Sequence, residues 1–192
     1  MEPITLSFRR VEGFTDDEFY NFCLDNSDLK FERTANGEII VMSNTGGITG
    51  NRNSEINFQL YAWNRIYKLG KVFDSSTAFR LPNGAVRSPD AAFVTAPQWD
   101  ALTEEQKKKF PPVCPDFIIE LKSESDTIAD LRKKITEDWL ANGCQLAWLI
   151  DADEAKVYVF RPNGFEELHD DFSKPLIAEL LPNFELDLIP LL

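Results

Sequence analysis

The sequence is poor in cysteine and histidine, which narrows the chemistry it can support. Its three cysteines, Cys23, Cys114 and Cys144, lie far apart and form no C-x-x-C pair. This spacing argues against both a zinc site and a disulfide framework, so we expect reduced thiols. The only histidine, His169, lies in a polar stretch, and we assign it no role.

Long apolar runs are also missing. No stretch approaches the roughly 18 continuous apolar residues that a membrane span needs, and the first residues contain no apolar segment behind a basic start. We therefore expect a soluble, cytoplasmic protein with no membrane contact. With 192 residues, of which 43% are hydrophobic, the chain is predicted to form one domain over 1–192.

Basic residues are outnumbered by acidic ones. The chain has 20 Lys and Arg against 32 Asp and Glu, a formal net charge of -12. This excess argues against broad electrostatic affinity for nucleic acid, because phosphate binding normally needs a surface rich in Lys and Arg. A metal ion with a few basic residues can still create one positive cleft on an acidic body.

Helical patterns occur in four places, one of them a short helix capped by Thr103 with Gln106. Thr15 is placed as the N-cap of a short first helix, with Glu18 as its capping-box partner. Apolar residues at helical spacing predict a long helix over 51–69 and another over 128–143. The stripe of the former is Ile56, Leu60, Trp63 and Tyr67, and that of the latter is Ile128, Leu131, Ile135 and Trp139.

Strand patterns fill the intervals between these helices. Asn36-Gly37 is typical of a tight hairpin turn, and 71–94 should form two or three antiparallel strands around a turn at 82–84. The run 116–123 is a compact apolar strand, and 145–151 should pair with 156–162. Together these elements predict an α/β fold with a mixed central sheet flanked by helices.

Two charges interrupt the apolar strand at 117–122. Because side chains alternate along a strand, Glu120 and Lys122 should point the same way. In a central strand such charges cost several kcal/mol unless they are paired or bound to metal. One interpretation is a plain ion pair between them. Asp90, at the end of another apolar strand, favours a divalent-metal site instead. Two carboxylates about 4 Å apart repel by roughly 4 kcal/mol at an effective dielectric near 20. A divalent cation removes that penalty.

These residues resemble the PD-(D/E)XK nuclease superfamily, in which a Pro-Asp on one strand precedes a Glu-x-Lys on the next. Pro89-Asp90 and Glu120-Leu121-Lys122 fit that pattern. Pro115-Asp116 matches the first half as well, but only three residues separate Asp116 from Glu120, too few for neighbouring strands.

The segments 31–47, 71–94, 114–126 and 139–151 extend the likeness, and nearly the whole chain resembles the Uma-two family of endonucleases. The resemblance implies a restriction-endonuclease-like three-layer core and metal-dependent hydrolysis of DNA phosphodiester bonds. Asp90, Glu120 and the Leu121 carbonyl would hold Mg²⁺ or Mn²⁺, and Lys122 would orient or deprotonate the attacking water.

Further residues enter through the same resemblance. The family has an acid in the first hairpin, matched by Glu32, and a lysine in the helix after Glu-x-Lys, matched by Lys134, so either could lie at the edge of the metal site. A solvated surface position is the alternative for both. Many relatives carry a histidine where this chain has Asn51. The candidates for phosphate contacts are Arg87, Arg132 and Lys133.

Two other functions stay open. The acidic charge favours a non-catalytic binding or regulatory module that keeps the fold, and the same site chemistry would permit a hydrolase of RNA or of a small nucleotide. Double-strand cleavage by this fold usually implies a symmetric dimer, so we also expect a homodimer.

Overall fold

The computed structural model describes residues 4–6, 13–164 and 166–192. Along these residues, the helices are α1 (Asp16–Asp25), α2 (Gly47–Tyr67), α3 (Ala96–Asp100), α4 (Glu104–Lys108) and α5 (Ile128–Lys133). The strands are β1 (Ile4–Leu6), β2 (Lys30–Arg33), β3 (Ile39–Met42), β4 (Gly70–Asp74), β5 (Phe79–Arg80), β6 (Val86–Arg87), β7 (Ala91–Thr95), β8 (Phe117–Leu121), β9 (Leu146–Asp151), β10 (Lys156–Phe160), β11 (Glu166–His169), β12 (Leu176–Ile177) and β13 (Glu185–Leu186).

A six-stranded sheet with the order β11-β10-β9-β8-β7-β4 forms the centre of the fold. Strands β8 and β9 run parallel, and the other neighbours are antiparallel. The sheet is therefore mixed, and the predicted α/β fold class is confirmed. The predicted pairing of 145–151 with 156–162 is confirmed as well, since β9 and β10 pair in antiparallel register.

Alternating residues of β8 face two different layers. Phe117 and Ile119 belong to a core cluster that includes Leu60 of α2, together with the C-terminal segment. Ile118 faces the opposite side and belongs to a cluster that includes Ile135 and Trp139. The sheet thus lies between two apolar layers, which is why both faces of this strand are buried.

The smaller sheet has the order β1-β3-β2-β6-β5 and carries the hairpin predicted at Asn36-Gly37. Gly37 adopts a φ of 81°, which the hairpin turn requires. Helix α1 packs beside this sheet, and the predicted capping box of Thr15 and Glu18 is formed. Strand β2 of this sheet carries Glu32, the acid of the first hairpin.

The segment 71–94 forms more strands than predicted. It contains β4, β5, β6 and β7, of which β5 and β6 belong to the smaller sheet and β4 and β7 to the larger one. The apolar C-terminal run forms the short pair β12 and β13 and a final 3-10 turn. Among the described residues, no helix combines the length and the apolar character needed to cross a lipid bilayer.

The helix predicted over 128–143 has an irregular course. Helix α5 continues as a π-helix over Lys134–Trp139 and a 3-10 turn over Leu140–Asn142. We call Lys134–Trp139 the π segment. Its hydrogen bonding includes a bond from the Leu140 N–H to the Ile135 carbonyl, five residues back. The predicted apolar stripe still packs on the sheet, but the spacing of apolar residues gives no sign of the extra residue in the turn.

Candidate active site

The candidate site lies where β7 begins and β8 ends. Glu120 is the penultimate residue of β8, and Asp90 directly precedes β7. The Asp90 N–H donates to the Ile119 carbonyl at 3.0 Å, which ties the two strands together beside Glu120. Because β7 and β8 are antiparallel neighbours, the Pro-Asp and Glu-x-Lys motifs meet at one end of the sheet.

Asp90 is fixed from two directions. Its Oδ2 accepts a hydrogen bond from the Leu121 N–H at 2.8 Å, and its Oδ1 accepts one from the Asn53 side-chain amide at 3.0 Å. The Asn57 amide donates to the Asp90 backbone carbonyl at 2.9 Å. Asn53 and Asn57 are one turn apart on α2, so that helix orients both the side chain and the backbone of Asp90.

Glu120 is buried and contacts Lys134 and Trp139. The Trp139 indole N–H donates to Oε1 at 2.7 Å, and the Lys134 ammonium donates to Oε2 at 3.2 Å and lies 3.0 Å from Oε1. The side chain of Lys134 is 17% exposed and that of Glu120 is 5% exposed. A buried carboxylate needs such partners, and the π segment supplies both of them.

Glu32 joins the same cluster from the smaller sheet. Its Oε1 lies 3.3 Å from the Lys134 ammonium and accepts the Ser88 N–H at 2.9 Å. Its Oε2 pairs with Arg87, which also binds Asp138 at 2.8 Å. The resemblance thus identified a lysine and an acid that do lie together, because Lys134 bridges Glu32 and Glu120.

Lys122 points to another partner. Its ammonium lies 3.6 Å from Asp151 Oδ2 at the end of β9, and its side chain is 21% exposed. Within the described part of the chain, the basic side chain that ion-pairs with Glu120 is Lys134. The Glu-x-Lys motif therefore places its two charges at the same strand end but in different ion pairs.

The pKa values of Glu120 and Asp90 are raised, whereas that of Glu32 is lowered. Burial raises the pKa of Glu120 to about 7; the Lys134 charge opposes this, and the Asp90 and Glu32 charges add to it. Burial likewise raises the pKa of Asp90 above its usual range. Burial also acts on Glu32, but the charges of Lys134 and Arg87 outweigh it and hold its pKa below the ordinary value. A cation near Asp90 and Glu120 would reverse their shift.

The oxygen atoms of Asp90, Glu120 and Asn53 are suitable ligands for a hard divalent cation. An ionised carboxylate can accept about four hydrogen bonds, and the contacts above leave acceptor capacity on both Asp90 and Glu120. The buried Oδ1 of Asn53, beside Asp90, has no hydrogen-bond partner in the described part of the chain, so a third oxygen is available. Nowhere in that part do three or more His, Cys, Asp or Glu residues form a metal cluster. Mg²⁺ suits such a site, because it is usually held by one or two carboxylates with water and substrate phosphates.

The three predicted phosphate contacts differ in exposure. Arg87 is buried in its ion pairs with Glu32 and Asp138. Arg132 pairs with Glu166 and stacks over the Tyr158 ring, and Lys133 is 69% exposed.

Sequence reasoning missed four residues of the site. Trp139 was assigned only to the apolar stripe, and Asp138 to no role. Asn53 and Asn57 lie beside the apolar stripe of α2, and their i, i+4 spacing is the one signal that could have indicated a shared partner.

The mixed sheet between two apolar layers, with Asp90 and Glu120 at neighbouring strand ends, is a restriction-endonuclease-like fold. The chain belongs to the Uma2 family, described as "Putative restriction endonuclease", whose pattern matches residues 16–189. A solved structure described as a "putative nuclease belonging to DUF820 from Anabaena variabilis ATCC 29413" has a similar fold, with a TM-score of 0.76 and 24% sequence identity. The match covers 93% of this chain and 99% of that chain. None of the curated proteins matches this sequence.

Proposed function

We propose that this protein is a Mg²⁺- or Mn²⁺-dependent endonuclease that hydrolyses DNA phosphodiester bonds. The observation that carries the proposal is the convergence of Asp90 and Glu120 at neighbouring ends of β7 and β8, where the charge of Asp90 helps to raise the pKa of Glu120. Family membership supports the nuclease class, and the raised pKa values of both acids support a cation between them.

Each residue has a distinct task in this proposal. Asp90, Glu120 and the Leu121 carbonyl hold the cation, which when bound would make the phosphorus more electrophilic. Lys122, the more exposed lysine, orients or deprotonates the attacking water. Lys134 and Glu32 lie at the edge of the site. The Lys134 ammonium favours the ionised form of both neighbouring acids, and Glu32 holds Lys134 in place through their ion pair.

Basic residues around the site could attract a polyanionic substrate although the protein as a whole is acidic. Three basic residues, Lys30, Arg87 and Lys134, act on the acids of the site. Lys30 is exposed and has no ion pair among the described residues, and a cleft of about 420 Å³ lies beside it. We propose that Lys30, with Arg132 and Lys133, contacts the DNA backbone near the site.

The acidic surface favours one competing function. A net charge of -12 weakens long-range attraction to any nucleic acid, as expected for a regulatory module that keeps the fold without catalysis. A module of that kind has no need of an ionised carboxylate pair, so it should neither bind Mn²⁺ nor cut DNA.

Cleavage of a substrate panel tests the proposal. Purified protein is incubated with supercoiled DNA, single-stranded DNA, RNA and a small phosphodiester, each with Mg²⁺, with Mn²⁺ and with a chelator. We expect DNA cleavage that needs the metal and, at a metal concentration below saturation, rises as the pH passes about 7, because Glu120 must lose its proton to bind a cation. Cleavage of RNA alone would replace the substrate, and no cleavage together with no Mn²⁺ binding would support the regulatory module.

We further propose a homodimer that forms through the outer face of α2. Phe58, Tyr61 and Ile66 on this helix are 67%, 55% and 75% exposed. Over its 21 residues the helix carries the acid Glu55 and the bases Arg52 and Arg65, so two copies would meet with little of the repulsion expected elsewhere on an acidic chain. We also propose a cytoplasmic location, in keeping with the free thiols of the three cysteines.

Sedimentation velocity tests the dimer. Phe58→Glu should convert a dimer to a monomer, because it places a charge in an apolar interface. Leu24→Glu is the matched control, since Leu24 is a similarly exposed apolar residue on α1, and it should leave the dimer intact. A monomeric wild-type protein, or equal sedimentation of wild type and Phe58→Glu, would contradict this interface.

A further inference from the structure

Trp139 differs from the rest of its apolar stripe because it carries a donor into the site. Its side chain is fully buried, and its indole N–H donates to Glu120 Oε1 at 2.7 Å. An indole N–H can only donate, and a charged acceptor makes its hydrogen bond stronger than a neutral one would. The contact therefore does more than fill space in the core.

A second tryptophan shows that burial alone does not create such a contact. Trp148 on β9 is also fully buried, where it packs against Phe117 and Phe184. Its indole nitrogen has no hydrogen-bond partner within the described residues. Burial of an indole therefore does not by itself bring a hydrogen bond, whereas the Trp139 indole donates to a carboxylate of the candidate site.

The π segment explains how Trp139 and Lys134 reach the same carboxylate. In an α-helix, residues five apart lie about 140° apart around the axis. Hydrogen bonding from residue i to i+5 brings them close to the same side. Lys134 and Trp139 are the first and last residues of the π segment, and they donate to Oε2 and Oε1 of Glu120, respectively.

We infer that Trp139 is a positioning residue, which together with Lys134 holds the Glu120 carboxylate in the orientation that binds the divalent cation. The terminal torsion of a glutamate side chain is broad, so a single donor leaves the carboxylate free to turn. The indole N–H on Oε1 and an ammonium in contact with both oxygens together fix it. This inference rests on the proposed function, because it assigns Trp139 to the cation site of that proposal.

Calorimetric titration with Mn²⁺ tests this role, and the two buried tryptophans supply a matched pair of variants. Trp139→Phe keeps an aromatic ring and removes the N–H, and we expect Mn²⁺ binding to weaken by roughly 10- to 100-fold, as for other hydrogen-bond partners of metal ligands. Trp148→Phe removes an equally buried indole whose N–H has no hydrogen-bond partner in the described ranges, and it should keep the wild-type affinity. Equal Mn²⁺ affinities in the two variants would overturn the inference and leave the proposed nuclease intact. A wild-type protein that binds no Mn²⁺ would overturn both.

A spectroscopic measurement keeps the test valid if Trp139→Phe does not fold. In the wild-type protein, the indole ¹H–¹⁵N resonance of Trp139 should move as Mg²⁺ is added, with the same Kd that calorimetry gives, because its acceptor becomes a metal ligand. The Trp148 resonance, identified from Trp148→Phe, should stay still. A Trp139 resonance that does not respond to saturating Mg²⁺ would contradict the positioning role.

Discussion

Replacing either Asp90 with Asn or Glu120 with Gln is expected to abolish metal-dependent DNA cleavage while leaving the protein folded. Both substitutions keep the size of the side chain and remove the negative charge that the cation needs. Loss of a partner that merely supports a metal ligand typically costs 10- to 100-fold, so loss of a ligand should cost at least about 100-fold. The measurement is the rate of nicking of supercoiled DNA in Mn²⁺, with circular dichroism as the check on folding.

Asp116→Asn is the matched control for these two variants. Asp116 also follows a proline and is buried just before β8, but its carboxylate accepts the Thr95 N–H at 2.8 Å and the Gln98 amide at 2.6 Å. It should lower stability and leave cleavage in place. If Asp116→Asn lost cleavage while Asp90→Asn kept it, the first half of the motif would be wrongly assigned.

Lys122→Met separates catalysis from metal binding in the same assay. The Lys122 ammonium contacts Asp151 and not the carboxylates that we assign to the cation. We therefore expect this variant to cleave poorly and to bind Mn²⁺ as the wild type does. Unchanged cleavage would move the catalytic role away from Lys122, with Lys134 as the remaining lysine of the site.

Replacing Lys134 with Met should destabilise the fold by about 3–5 kcal/mol at pH 8, as expected when one member of a buried ion pair is removed. The ammonium lies within 3.3 Å of both Glu32 and Glu120, whose side chains are only 4% and 5% exposed. Without it, two carboxylates stay buried with too little compensating charge. Urea denaturation of the variant and the wild type measures the loss.

Two comparisons make that prediction specific. Lys133→Met removes the adjacent lysine, which is exposed and lies 4.0 Å from Glu137, so it should change stability by less than about 0.5 kcal/mol. The loss in Lys134→Met should shrink at pH 5, because the pKa of Glu120 is already raised to about 7 and would rise further without the lysine, so that protonation removes the unpaired charge. Equal losses in the two variants at pH 8 would show that Lys134 is not the charge that holds the site together.

Local sequence signals predicted the elements of this fold well. The capping box at Thr15 and the hairpin turn at Asn36-Gly37 each depend on residues a few positions apart, and each is formed. The stripe of α2 is buried as predicted except at Tyr67, which is 40% exposed. The alternation along β8 predicted correctly that Ile118 and Glu120 share a face, and the structure shows that this face meets the layer containing Trp139.

Contacts between distant residues could not be predicted in this way. Arg87 was predicted to contact phosphate, yet it is buried in ion pairs with Glu32 and Asp138. These partners are 55 and 51 residues away in the sequence, so no local pattern indicates them. The π segment has an apolar spacing that fits an ordinary helix, and its extra residue makes sense only once Glu120 is seen to need two donors. Lys122 pairs with Asp151 and not with Glu120, because β9 lies beside β8 and places Asp151 at the end of that strand.

The central claim is that Asp90 and Glu120 bind one divalent cation between them. Crystals soaked in Mn²⁺ and measured for anomalous scattering test it most directly. The proposal predicts an anomalous peak in contact with oxygens of both carboxylates, lost in crystals of Glu120→Gln. A fully soaked crystal with no peak at these two residues, or with its only peak at the Asp151 and Lys122 pair, would contradict it.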